Sequence, residues 1–183
     1  MLRGLEAVAA DLAAAGIPFF LLRGDPGETL PALAARTSAG LVVADVSPLR
    51  LSRSWRASVA AGLGAGGTGM AEVDAHNVVP LWGPATEKRE IGARTLRPRL
   101  HRCLPDFLTE FPALPPVTPW AGPPPPPIDW AAIITEATAA GAAVPEVTWC
   151  VPGEAAARAA LAAFATRDRL KVYLKRNDPN VGE

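Results

Sequence analysis

The chain has 183 residues, of which 49% are hydrophobic and 20% charged, a composition that permits a packed core and argues against wholesale disorder. Its formal net charge is zero, so the chain as a whole has no electrostatic signature of nucleic-acid binding, although Lys88–Arg102 is locally basic. Two cysteines are too few for a disulfide framework, and no apolar run approaches the roughly 18–20 residues that span a bilayer. The N-terminus lacks a signal-peptide pattern. We therefore expect an intracellular protein with reduced thiols, in a compartment that the sequence leaves open.

Hydrophobic periodicity predicts helices and short strands in alternation over the first half of the chain. The helical patterns cover residues 2–12, 28–36 and 48–63, and the strand patterns cover residues 19–22, 41–44 and, more weakly, 70–74. The first two strand patterns are apolar on both faces, which is typical of buried parallel strands. The sequence predicts an α/β fold, an incomplete doubly wound (Rossmann-like) parallel sheet with flanking helices.

Three aspartates follow the predicted strands. Asp25, Asp45 and Asp74 each fall at or just beyond a strand's carboxyl end, where open α/β sheets place their ligand clefts. This position makes them candidate cofactor-binding residues. It is equally the ordinary position of turn aspartates and helix caps, so both interpretations stand at this point.

The second half of the chain has a different composition. A helix is expected from Glu87 to Cys103, interrupted by Pro98, and a proline-rich stretch then contains five consecutive prolines at Pro123–Pro127. Ala-rich helices follow at Trp130–Ala140 and Glu154–Ala165, with apolar faces that nothing evident in the remaining sequence would bury. We expect an α/β domain at residues 1–112, a Pro-rich linker at 113–129 and C-terminal helices at 130–183.

Short chemical motifs do not identify a cofactor, metal or catalytic site. Gly62-x-Gly64-x-x-Gly67 and an overlapping copy starting at Gly64 match the dinucleotide-binding pattern, but a helix precedes them and a strand follows, the reverse of what that site requires. His101 and Cys103 lie two positions apart on a helix and point to different faces, so no metal site is predicted. No nucleophile context or catalytic triad spacing is present, and catalytic residues are not evident.

Longer strings resemble one protein family. They are Met1–Glu6, Gly16–Pro26, Ser47–Arg50 before Trp55-Arg56, Val73–Pro80, Ala93–Arg99, Leu104–Pro112, Val144–Val147, Pro152–Glu154, Tyr173 and Arg176–Pro179. In this order they resemble the N-terminal domain of class II CPD photolyases and the beginning of that family's flavin domain. The resemblance is colinear over nearly the whole chain.

The resemblance implies light-driven repair of cyclobutane pyrimidine dimers, with damaged DNA as partner. In the family, an excited reduced FAD donates the electron, and both flavin and flipped-out lesion sit in a C-terminal helical domain. The α/β domain can hold an antenna pigment of deazaflavin, flavin or folate type. By the same resemblance Tyr173 is a candidate flavin contact and Arg176 a candidate DNA contact.

The resemblance also implies an incomplete protein. Met1 resembles an internal residue of the family, so the first strand of the sheet is expected to be missing, as is the flavin-binding C-terminal half. We expect a photolyase fragment that is inactive alone. The alternatives are a free-standing α/β module that binds an antenna pigment or a protein, and a photoreceptor relative that uses the fold for signalling.

Overall fold

The computed structural model describes residues 1–82, 90–113, 115–141 and 143–180. Within these residues the chain forms seven helices and two strands. The helices are α1 (Leu2–Ala14), α2 (Pro26–Thr37), α3 (Arg50–Ala65), α4 (Ala93–Phe107), α5 (Trp130–Ala140), α6 (Glu154–Phe164) and α7 (Arg167–Tyr173), and the strands are β1 (Leu41–Asp45) and β2 (Gly69–Val73). They belong to two compact units, one made of residues 1–21 and 117–183 and the other of residues 22–116.

The unit of residues 22–116 contains the sheet. Strands β1 and β2 pair in parallel with Leu41 beside Gly69 and Asp45 beside Val73, and α3 connects them. A parallel pair requires a crossover of this kind, because the chain must return to the starting end of the first strand. The α/β class with a parallel sheet is confirmed. β1 matches the predicted strand to within one residue.

The core of this unit lies where α2, α3 and the sheet meet. Ala34, Val59 and Leu63 are buried together, and the partly buried side chains around them are Leu30, Ala39, Val42 and Met70. Gly62 has a packing role here, since a Cβ atom at this position would lie 2.6 Å from Cγ of Pro31 on α2. The first glycine of the dinucleotide-like pattern therefore serves the close approach of two helices.

The strand predicted at residues 19–22 is wrong. These residues belong to no strand, and among the described residues none pairs its backbone with them in a sheet. An extended segment becomes a strand only when a neighbouring backbone takes its hydrogen bonds. The aromatic rings of this segment instead pack against two tryptophans. Phe19 lies 6.2 Å from Trp130, and Phe20 packs edge-on against Trp120 at 6.0 Å between ring centroids.

Helix α4 differs from its prediction at both ends. It begins at Ala93 and continues to Phe107, with Pro98 and Pro105 inside it. The predicted start at Glu87 lies outside the described residues. The predicted interruption at Pro98 is wrong, because the helix tolerates the loss of one backbone donor there and continues for nine more residues.

In the unit of residues 1–21 and 117–183, α1 contacts α5 and α6. The proline-rich stretch packs against this unit through the Trp120 ring, which meets the Phe20 ring edge-on at 6.0 Å between centroids. Within the stretch, Trp120 donates a hydrogen bond from Nε1 to the carbonyl oxygen of Pro123 at 2.9 Å. Helices α5, α6 and α7 bury no residue completely, and Leu161 stays 65% exposed. The expectation of unburied apolar faces on the last helices is confirmed. The predicted domain boundaries at residues 112 and 129 stay a prediction.

Within the described ranges, no helix combines the length and the apolar character needed to cross a bilayer.

Candidate functional site

The carboxyl ends of β1 and β2 bring two of the three predicted aspartates to one edge of the sheet. Asp45 is the last residue of β1 and lies beside Val73, the last residue of β2, and Asp74 follows directly. A parallel pair aligns its carboxyl ends, so this placement follows from the strand register. Asp45 and Asp74 therefore lie at the same edge of the sheet.

Asp74 organises the loop that follows β2. Its Oδ2 atom accepts a hydrogen bond from the backbone N–H of Leu81 at 2.7 Å, and its Oδ1 atom accepts from the backbone N–H groups of His76 and Asn77 at 3.2 Å each. The Asn77 amide also donates to both carboxylate oxygens at 3.0 Å. The Leu81 and Asn77 hydrogen bonds hold the pKa of the Asp74 carboxyl below its usual value, because they stabilise the charged form. The charged Asp74 carboxylate therefore holds the loop from His76 to Leu81 in place at this edge of the sheet.

Asp25 and Asp45 have different surroundings. Asp25 is the N-cap of α2 and accepts a hydrogen bond from the backbone N–H of Gly27 at 2.7 Å, with Pro26 at the first helical position. Asp45 is exposed. Asp25 thus caps a helix and Asp74 anchors a turn, the two alternative roles expected from the sequence. A cofactor contact for any of the three aspartates stays a prediction.

A basic groove lies beside α3 in the same unit, and the sequence analysis missed it. It has a volume of about 440 Å³ and is lined by Arg50, Arg53, Ser54, Arg56, Ala57, Ala60 and Glu72. Arg56 forms an ion pair with Glu72 of β2 and donates a hydrogen bond to the carbonyl oxygen of Ser47 at 3.5 Å. The groove therefore carries three arginines against one glutamate. The signal in the sequence was arginine at every third position at the start of a helix.

The position of these arginines is electrostatically unusual. Helix α3 has no acidic residue in its first turn, and its N-cap, Leu49, makes no side-chain hydrogen bond. Arg50 and Arg53 thus stand at the positive end of the helix dipole, where cations are unfavourable and anions favourable. A negatively charged group would be attracted to this groove.

The unit of residues 1–21 and 117–183 has its own open groove, of about 470 Å³. Its lining is almost entirely apolar and comes from Ala9, Ala13, Gly16–Phe19, Trp120, Pro125–Ile128 and Trp130. The tryptophan rings and the prolines form stiff walls, so the proline-rich stretch is part of a packed surface.

Tyr173 and Arg176 contact each other and their own helical neighbours. The guanidinium carbon of Arg176 lies 4.7 Å from the centre of the Tyr173 ring, a cation–π contact, and Phe164 meets the same ring edge-on at 5.4 Å. Two approaches to the tyrosine ring are therefore occupied by side chains of this chain. Roles for these residues at a flavin or at DNA stay predictions.

Among the described residues, no group of three or more His, Cys, Asp or Glu side chains is placed to hold a metal ion. Cys103 is buried and Cys150 is exposed, and both are free thiols.

The fold and this edge define an open-sheet α/β protein that gathers polar groups at the carboxyl ends of parallel strands. Residues 1–117 match the DNA photolyase family, and the chain belongs to that family.

Three relatives are each named deoxyribodipyrimidine photo-lyase. The protein of Oryza sativa subsp. japonica is 45% identical over 186 residues, covering 98% of this chain and 36% of the relative. The Arabidopsis thaliana protein is 42% identical with 37% of its length covered, and that of Potorous tridactylus is 39% identical with 33% covered. The chain spans about a third of the length of the curated relatives it matches.

Proposed function

We propose that this chain is the N-terminal portion of a class II deoxyribodipyrimidine photo-lyase, an enzyme that splits cyclobutane pyrimidine dimers in DNA under light. The observation that carries the proposal is the colinear match of 98% of the chain to deoxyribodipyrimidine photo-lyases at 39–45% identity. The assignment to class II is supported by the strings Gly16–Pro26 and Val73–Pro80, which resemble that class. Damaged DNA is the proposed partner of the complete protein, and an intracellular location is part of the proposal.

In this proposal residues 1–112 form the antenna-type α/β domain, residues 113–129 link it onward, and residues 130–183 lead to the flavin-binding helices. A bound FAD would supply the electron that opens the dimer. Tyr173, the flavin contact that the resemblance implies, has Arg176 and Phe164 against its ring. Because two sides of the Tyr173 ring are occupied by this chain's own side chains, these residues do not form a flavin cradle.

The proposed contribution of the chain is structural. The packing of α2 on α3 around Leu63 gives the α/β unit a defined core, and Asp74 fixes the loop at the carboxyl edge of the sheet. Rigid elements of this kind can hold a pigment in a fixed orientation. The polypeptide alone is proposed to lack repair activity.

A chimera tests the proposal. This chain should replace the aligned region of the Oryza sativa photo-lyase, and the purified chimera should be assayed for blue-light-dependent splitting of a thymine dimer in an oligonucleotide. We expect repair, abolished in the dark. A chimera that folds with the parent's FAD content and melting temperature but shows no repair would contradict the proposal.

A second candidate function is the binding of an antenna pigment by the α/β unit itself. The observation that favours it is the basic groove of about 440 Å³, a size within the range of small-molecule sites. Flavin mononucleotide and 8-hydroxy-5-deazariboflavin should be titrated separately against the chain, with fluorescence as the readout.

The doubly substituted variant Arg50→Ala/Arg53→Ala should weaken flavin mononucleotide binding about tenfold or more, since hydrogen bonds to charged groups contribute about 1.5–3 kcal/mol each. Arg158→Ala, on the other unit, is the matched control and should bind as the unaltered chain does. Equal affinity of both variants for the mononucleotide would place any binding elsewhere.

A further inference from the structure

We propose that the five consecutive prolines Pro123–Pro127 are a docking site for a second protein, one whose binding groove is lined by aromatic side chains and recognises a polyproline II helix. Such docking is independent of light-driven repair and of the basic groove beside α3. Its basis is a repeat of three residues in the burial of the proline run.

The sequence of the run dictates its backbone conformation. Each proline ring fixes φ at about −65°, and a residue that precedes proline is kept extended. Consecutive prolines therefore adopt polyproline II, with three residues per turn and a rise of about 3.1 Å per residue. The structure agrees, since residues 123–129 belong to no helix or strand. A polyproline II helix is a three-sided rod, so residues three positions apart share an edge.

One edge of this rod packs against the chain, and the other two are exposed. Pro125 and Ile128 are half-buried and line the open groove of their unit together with Ala9 and Ala13 of α1. The exposed prolines form the remaining edges, Pro123 with Pro126 and Pro124 with Pro127, of which Pro126 and Pro127 also border the groove. Each exposed edge keeps the Pro-x-x-Pro spacing that polyproline-binding domains recognise.

The carbonyl oxygens of the run are acceptors for such a domain. Proline has no N–H, and polyproline II forms no internal hydrogen bonds. Trp120 donates from Nε1 to the carbonyl oxygen of Pro123 at 2.9 Å, whereas among the described residues none donates to the carbonyl oxygens of Pro124–Pro127. Tryptophan and tyrosine in an aromatic groove carry donors of the same kind. Trp120 thus shows within the chain the contact that a partner would repeat further along the rod.

The charge around the run selects the kind of groove. No charged residue lies between Glu110 and Asp129, and both of these flanking residues are acidic. Ion pairing therefore contributes nothing within the segment, and an acidic groove would be repelled by its flanks. An uncharged groove of aromatic rings that pack on the prolines fits this segment. Because the prolines are already ordered, binding costs little conformational entropy.

The test is a titration of the whole chain into an isotope-labelled WW domain of the kind that binds uncharged proline runs, followed by NMR through the indole N–H signals of its groove. We expect saturable shifts with a Kd below about 1 mM, reversed by added poly-L-proline. A WW domain that binds poly-L-proline but shows no shift with the chain would overturn the proposal.

Two double variants locate the contact. Pro124→Ala/Pro127→Ala removes both rings of one exposed edge and should weaken binding by about tenfold or more. The melting temperature should stay close to that of the unaltered chain, since both rings are exposed. Pro112→Ala/Pro115→Ala is the matched control, with the same spacing but outside the run, and should bind as the unaltered chain does. Equal weakening by the two variants would contradict docking at Pro123–Pro127.

A free peptide keeps the proposal testable if Pro124→Ala/Pro127→Ala disturbs the fold. A peptide of residues 120–128 should displace the chain from the WW domain, and a peptide that fails where poly-L-proline succeeds would contradict the proposal. Sedimentation of the chain alone addresses the remaining occupant. Self-association that Pro124→Ala/Pro127→Ala abolishes would assign the exposed edge to a second copy and contradict a separate partner.

Discussion

Arg3 and Glu146 are separated by 143 positions in the sequence and meet through two parallel hydrogen bonds, Nε to Oε1 at 2.7 Å and Nη2 to Oε2 at 3.3 Å. This fork geometry is the strongest form of an arginine–carboxylate contact. Both side chains are more than half exposed, so water screens most of the attraction. The pair fixes where the connector before α6 meets α1 more than it stabilises the fold.

Arg3→Ala should lower the melting temperature only slightly at neutral pH. The Arg3 guanidinium lowers the pKa of Glu146 from its usual value, so the contribution of the pair is present above the unfolded-state pKa and is lost as pH falls through the folded one. The difference in melting temperature between variant and unaltered chain should therefore shrink on acidification and in high salt. Arg158→Ala, which removes an i,i+4 pair with Glu154, is the control. A large effect that persists at acid pH would contradict this account.

Asp74→Ala should destabilise the loop after β2 and lower the melting temperature. The backbone N–H of Leu81 and both the backbone N–H and the side-chain amide of Asn77 would lose their acceptor. The melting temperature of Asp74→Asn should lie between those of Asp74→Ala and the unaltered chain, since one side-chain oxygen remains as an acceptor. The folded pKa of Asp74 is lowered, so its stabilisation holds above the unfolded pKa and fades as pH falls through the lower value. Asp45→Asn, at the same edge but exposed, should melt like the unaltered chain. Equal melting of the Asp74 and Asp45 variants would refute the anchor role.

Leu63→Ala should reduce the free energy of unfolding by about 2–5 kcal/mol, because Leu63 is 1% exposed and its loss leaves a cavity between α2 and α3. Urea denaturation gives the value. Leu51→Ala on the same helix is the matched control: Leu51 is 58% exposed, so the change should stay within about 0.5 kcal/mol. Similar losses for both would mean that the α2–α3 core is not where the structure places it.

Trp120→Phe should lower the free energy of unfolding by about 0.5–1.5 kcal/mol, the usual contribution of one hydrogen bond. Phenylalanine keeps an aromatic ring near Phe20 but cannot donate to Pro123. Trp149→Phe is the control, as Trp149 is 86% exposed. Denaturant titrations of the two variants should differ in midpoint. If they coincide, the hydrogen bond from Trp120 to Pro123 does not stabilise the fold.

The sequence predicted correctly those helices and strands that are marked by local hydrophobic periodicity and capping residues. The run Leu41–Ala44 became β1, and the helix expected at residues 28–36 became α2, which Asp25 caps and Pro26 starts. These succeed because hydrophobic periodicity and caps act within a few residues. The Arg3–Glu146 pair has no such local signal.

The failures involve distant partners. Phe19 and Phe20 have the composition of a strand, but a strand also needs a neighbouring backbone, which a local pattern does not supply. The basic groove was missed because Arg56 meets Glu72 across sixteen positions and only the fold brings β2 beside α3. At the carboxyl edge, position was predicted correctly for Asp45 and Asp74, whereas the anchoring role of Asp74 depended on the path of the loop to Leu81.

We propose that this chain contributes the scaffold of a photolyase and that the electron-transfer chemistry lies in the parts of the relatives that it does not span. The most direct test is to purify the chain, measure its FAD content from the flavin absorbance, and assay it under blue light with a thymine-dimer oligonucleotide. We expect no stoichiometric FAD and no light-dependent splitting, with the intact Oryza sativa photo-lyase as positive control. One FAD per chain together with light-dependent repair would contradict it.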